Sequence, residues 1–195
     1  MTVTLRDGAL DGRLAAFVRE HGTAEETVLL AAWLATLAAA RPEHADRCLV
    51  EGPGRAVWVT CPPARREAFV DLVVRVHRAL RRGAAPSSPQ VASAARVRLL
   101  PLGAEVAPPV EEDSIPELLI RRTEEGLALE GLGEQGAILA RSARAVLDAA
   151  LREPSRDWAG LPLLDAQILE SLERVTRGEA PVEDGTDDCL TAFSA

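Results

Sequence analysis

Apolar residues recur at helical spacing in several stretches, and shorter β-type runs lie between them. Leu10, Leu14, Phe17 and Val18 fall on one side of a helix over residues 10–21, and Gly22 is a natural stop. Thr23-Ala-Glu-Glu26 reads as a capping box, with the Thr hydroxyl accepting from the N3 amide and Glu26 reaching back. Residues 28–40 follow, almost wholly apolar apart from Thr36, which predicts a helix buried on most sides. The period then changes. Cys48-Leu-Val-Glu and Ala56-Val-Trp-Val-Thr flank Gly52-Pro-Gly54 and predict two strands joined by a tight turn.

After Pro62-Pro63, residues 64–82 return to helical spacing, with Phe69, Val73, Val76 and Leu80 as the apolar stripe. The other side carries Arg65, Arg66, Arg75, Arg78, Arg81 and Arg82, and Arg in a last turn complements the negative end of the helix dipole. Residues 83–93 read as a loop, 95–102 as a strand and 101–113 as an acidic, proline-rich connection. Residues 118–132 predict an antiparallel hairpin turning at Thr123-Glu-Glu-Gly126. A long helix over 135–152 has Ile138, Leu139, Ala143, Val146, Leu147 and Leu151 as its stripe, with Pro154 beyond its end. Residues 158–164 read as extended, Asp165 caps a last helix through Val175, and 176–195 form an acidic linker. Helices alternating with β segments predict an α/β fold, a mixed sheet covered by helices.

Composition narrows the function. The 195 residues are 47% hydrophobic with mean hydropathy +0.02, enough for a core and consistent with one domain. No apolar run reaches the ~20 residues of a bilayer span, and Met1 is followed by a polar stretch, so a cytoplasmic protein is expected. Net charge is −8, divided as +4 over residues 1–100 and −12 over 101–195. All 22 basic residues are Arg, scattered over helix faces, which argues against nucleic acid. Cys48, Cys61 and Cys189 lack metal-site spacing and read as buried or incidental thiols.

Catalysis finds no constellation. His21, His44 and His77 each stand without an orienting partner in the sequence. Cys61, at a helix entry, comes nearest to an activated thiol but reads better as a small buried hydrophobe. Gly52-Pro-Gly54-Arg55 lacks the spacing and the Lys of a phosphate loop, and Glu111-Glu112-Asp113 and Asp187-Asp188 read as solvated loops. Trp33, Trp58 and Trp158 read as core anchors. No cofactor or metal is indicated.

The order of segments resembles the C-terminal half of condensation domains of nonribosomal peptide synthetases. The residues that carry the likeness are the hairpin 118–132, Ala149-Ala-Leu-Arg-Glu-Pro154, Trp158-Ala-Gly-Leu-Pro-Leu-Leu164 and the helix 165–175. Gly22-Thr23 through Leu37, Phe69-Val-Asp-Leu-Val-Val-Arg-Val and Cys189-Leu-Thr-Ala-Phe193 add to it. The resemblance implies the C-terminal lobe of a chloramphenicol-acetyltransferase-like fold over residues 1–175, followed by a linker toward an adenylation domain. Full members of that family are longer, two-lobed and carry an HHxxxDG motif. This chain has no adjacent His pair, so the resemblance implies a partial, non-catalytic domain.

On that reading the domain is a platform for the neighbouring adenylation domain. Trp158, Leu161, Pro162, Leu163, Leu164, Leu169 and Leu172 are the expected interface; the alternative is that they close the chain's own core. Two rivals stand beside it. A carrier-protein adaptor would dock an acidic carrier on the Arg face of residues 65–82, with Arg75 and Arg78 as its discriminating residues. An acyltransferase half-site completed by a partner chain would need His77 or Cys61 at its substrate. A half-domain is also expected to expose apolar surface or a sheet edge, and so to self-associate or be covered by a neighbour.

Overall fold

The computed structural model of the chain describes residues 2–4, 8–61, 66–85, 95–101, 117–123 and 126–162. Its elements are β1 (Thr2–Thr4), α1 (Gly8–His21), α2 (Glu25–Ala40), β2 (Arg47–Gly52), β3 (Arg55–Thr60), α3 (Phe69–Arg82), β4 (Ala95–Leu100), β5 (Glu117–Thr123), β6 (Gly126–Gly131) and α4 (Gly133–Arg152). The chain divides after Leu163, and the segment Leu164–Ala195 lies outside the described residues. The predicted helix 165–175, the linker 176–195 and the acidic stretch 102–113 fall there or in other undescribed parts.

Among the described residues the strands form one mixed sheet in the order β1-β6-β5-β4-β2-β3. β2, β4 and β5 pair parallel, while β3 pairs antiparallel with β2, β6 with β5 and β1 with β6. The predicted hairpins form as expected. In the first, Pro53 presets the turn and Gly54 takes φ +71°, a left-handed value that glycine adopts without strain, so that Gly52 pairs with Arg55 and Leu49 with Trp58.

One side of the sheet meets the helices. Cys48, Val50, Val57, Val59, Ala95, Val97, Leu118, Ile120 and Leu129 alternate along the strands and join the core with α2 above them. Helix α2 is the centre of this layer: residues 27–37 are all buried, as its continuous apolar run demands. Its one mid-helix polar group, Thr36, is satisfied by donating to the Ala32 carbonyl at 2.9 Å. Helix α4 packs on α2 and on the end of β6, where a Cβ on Gly131 would collide with the Gly136 carbonyl. No single described helix is long and apolar enough to cross a membrane.

Several sequence expectations are corrected. The capping box does not form: Ala24 is the N-cap, no side chain caps the helix, and the Thr23 hydroxyl is buried without a hydrogen bond. Glu26 is drawn instead to Arg122 of β5 at 3.1 Å, a charge-assisted bond that outcompetes reaching back to a backbone amide. Helix α3 starts at Phe69, not at residue 64. Its first amides are satisfied from far along the chain, Phe69 N–H by the Arg156 carbonyl and Val70 N–H by the Pro154 carbonyl, both at 3.1 Å. Residues 158–160 form a 3-10 turn rather than an extended segment. β1 has no counterpart in the sequence reading, because three residues are too few for a periodic signal.

The expected apolar surface is absent from the described residues, where the one exposed large hydrophobic is Val74, at 37%. The second side of the sheet explains this. Leu49 and Leu119, both 1% exposed, share it with a layer of ion pairs: Arg98 to Glu117 at 2.6 Å and to Glu51 at 3.3 Å, and Arg121 to Glu130 at 3.2 Å. Arginine stems are apolar over most of their length, so such a layer keeps charge at the surface without leaving bare hydrocarbon.

Candidate functional site

The interface and docking residues expected from sequence end up in different places. Trp158 and Leu161 are only 5% and 6% exposed and belong to the core. The Trp158 amide donates to the Glu67 carbonyl at 3.1 Å, so this segment is tied to the start of α3 in the same chain. Pro162 is exposed. Leu163, Leu164, Leu169 and Leu172 lie outside the described residues.

Arg75 and Arg78 come together in a cleft of about 530 Å³ between α3 and β3, lined also by Arg47, Trp58, Thr60, Cys61, Ala79, Arg82, Gly83 and Ala84. Local chemistry builds it. Gly83 ends α3 so close to β3 that a Cβ there would sit 2.8 Å from the Trp58 carbonyl oxygen. The Trp58 amide donates to the Ala84 carbonyl at 2.9 Å, which closes part of the β3 edge. Across the cleft the Arg47 guanidinium stands 3.8 Å from the Trp58 ring centroid, a cation–π contact.

The donors in this cleft are not equivalent. Arg75 is held by Glu67, with Nε 2.5 Å from Oε1 and Nη2 donating to Oε2 at 2.9 Å. That partly buried fork takes most of its capacity away from a partner. Arg78 and Arg82 are exposed and make no ion pair among the described residues. The buried indole N–H of Trp58 has no acceptor there. A wall of guanidinium and indole donors, with no carboxylate among its described lining residues, favours an acceptor-rich, negatively charged surface.

The sequence singled out the Arg face of α3, Arg75, Arg78 and Arg82 included, but missed Arg47 and the part Trp58 plays. A signal existed: the two-residue turn fixes the hairpin register, which puts Arg47 opposite Thr60 and diagonal to Trp58.

Neither thiol in the described part is an activated nucleophile. Burial pushes the Cys48 thiol up to about 12, with Cys61 adding to it. Burial also raises Cys61, the Arg75 guanidinium pulling against it and Glu67 with it. His21 stacks on Phe17, ring centroids 4.3 Å apart, and His44 Nε2 lies 3.4 Å from Arg41 Nη2. His77 lines a second cavity, so it and Cys61 do not share a site.

A six-stranded mixed sheet with its helices packed on one side is the architecture of the condensation-domain fold, which is chloramphenicol-acetyltransferase-like. The first condensation domain of the CDA synthetase is similar at 15% identity and a TM-score of 0.57, over 85% of this chain and 48% of that one. The X-domain from teicoplanin biosynthesis is similar at 19% identity and 0.57, over 84% and 50%. VibH, an NRPS condensation enzyme, is similar at 11% identity and 0.53, over 84% and 50%. The chain therefore spans about half the length of these solved structures. No protein-family model and no curated protein matches the sequence.

Proposed function

We propose that the chain is a partial condensation-like domain of a nonribosomal peptide synthetase, corresponding to the C-terminal half. It has no condensation activity of its own and serves in the cytoplasm as a folded platform for an adjacent adenylation domain. The observation that carries this reading is the pairing of coverage and closure. The fold accounts for 85% of this chain but 48% of a condensation domain, and its sheet covers its own second side with ion pairs. The sequence offers no adjacent His pair, and both thiols in the described part are held protonated by burial. With Trp158 and Leu161 in the core, the surface offered to the neighbour would start at Pro162.

The test fuses or mixes the chain with the adenylation domain that follows it and compares soluble yield and adenylation rate with and without residues 1–175. Loss of either on deletion supports the platform; unchanged yield and rate reject it.

A carrier-binding adaptor is the second reading, and Arg78 and Arg82, which make no ion pair among the described residues, favour it. A teicoplanin X-domain has been solved in complex with OxyB, so a relative of this fold does present a partner surface. Charge reversal at Arg78 and Arg82 would weaken binding of an acidic carrier; reversal at Arg75 would also break its pair with Glu67 and is the poorer probe. An acyltransferase half-site has less support, because burial raises the Cys61 thiol and His77 has no orienting partner among the described residues.

A further inference from the structure

The second cavity, about 510 Å³, opens on the helix-covered side of the sheet where the parallel strands β2, β4 and β5 end, at Gly52, Pro101 and Arg122. The carboxyl ends of parallel strands are where open α/β sheets commonly hold ligands, and the volume is that of a small-molecule site. Its walls are mainly apolar: Val50, Val57, Leu80, Leu99 and Ile120 form the floor and sides.

The polar groups are few and sorted. Glu26 and Arg122 line the cavity but already serve each other at 3.1 Å, and Glu25 reaches the same guanidinium at 3.5 Å. On the opposite wall His77 and Arg81 stand one helical turn apart on α3, on the same side as Leu80. Neither ring nor guanidinium makes a hydrogen bond or ion pair among the described residues. The cavity thus combines a cation and an imidazole, unengaged among the described residues, with an apolar interior, while its lining carboxylate, Glu26, is already paired with Arg122.

We propose that this cavity binds a monocarboxylate with an apolar body, the carboxylate held by Arg81 and His77 and the hydrocarbon lying against Leu80, Leu99 and Ile120. A cationic ligand would find its carboxylate partner occupied, and a neutral one would leave Arg81 without use. The inference does not depend on the platform reading, which concerns a different part of the molecule.

The probe is octanoate, titrated calorimetrically into the full 195-residue chain beside 1-octanol and octylammonium. Saturable octanoate binding is expected, about tenfold tighter than either comparator, because the charge-assisted contact to Arg81 is the difference between them. Arg81→Gln, at an exposed position, should remove that tenfold preference of octanoate over octanol. Leu80→Trp, which fills the cavity, should abolish octanoate binding; backbone amide shifts around Leu99 and Ile120 in the unmodified chain place the ligand. No saturable binding up to several millimolar, equal affinity for all three ligands, or an unaltered preference in Arg81→Gln overturns the proposal.

Discussion

On one side of the sheet, Cys48, Val50, Val97, Leu118 and Ile120 disappear beneath α2 and its neighbours. On the other, Leu49, Leu119 and Trp58 are hardly more exposed, at 1%, 1% and 5%, but share their surface with Arg98, Arg121, Glu51, Glu117 and Glu130. The first side is held by non-directional apolar contact, which tolerates little loss of volume but needs no exact partner. The second is held by pairs that depend on each other, since removing one member strands a half-buried charge. A sheet that forms half of a larger fold can be closed by either means, and here each side uses a different one.

The largest loss of stability is expected at the centre of the helix-covered side. Trp33→Ala, at a fully buried position of α2, should cost about 3–5 kcal/mol in urea unfolding. A loss under about 1 kcal/mol would mean that α2 is not the core helix. Gly131→Ala on the same side should cost about 3 kcal/mol, because the new methyl group collides with backbone at Gly136 and no flexible side chain can yield. Wild-type stability in that variant would sink the close α4–β6 contact.

The ion-paired side should lose less. Arg98→Ala removes the partner of Glu117, itself buried, and should cost about 2–3 kcal/mol. Replacing Arg98, Glu51 and Glu117 together by apolar residues of similar size should restore much of that stability and create a self-associating surface, seen as a concentration-dependent mass in light scattering. A variant whose mass does not vary with concentration would show that the ion pairs are not what keeps this side from self-association.

The smallest effect is read by pH. The chain has no Lys and no Tyr, so between the ranges of the α-amino group and Arg only the three thiols titrate. Cys48 is raised in the folded chain from 9.0 to about 12, so folding keeps a proton that the unfolded chain releases. The stability this provides is full below pH 9.0 and is lost progressively as pH rises toward 12. The urea midpoint should therefore be flat just below pH 9.0 and fall above it, with a shallower fall in Cys48→Ala. Equal slopes in the two chains would remove Cys48 as the cause.

The candidate clefts were legible only in part. Arg75 and Arg78 are visible as an exposed helical stripe, and both do line one cleft. That Arg75 is engaged by Glu67, eight residues earlier, could not be read from a helical period, because Glu67 precedes the helix and approaches only through the chain's entry into α3. Arg81 and His77 read as solvent-facing or capping residues until the strand ends are brought beneath them.

By itself the sequence determined the elements that have a long period or an obligatory turn: the buried run of α2, the stripe of α4, and the hairpins around Pro53-Gly54 and residues 123–126. Those signals are local, a matter of backbone geometry and of which face must leave water. The tertiary structure decided the rest: the sheet order, the engagement of Glu26 by Arg122 in place of a capping box, and the closing of α3 by the carbonyls of Pro154 and Arg156. It also decided that Trp158 belongs to the core. Each of these joins residues distant in the chain, where competing partners differ by about a kcal/mol and only the assembled fold selects among them.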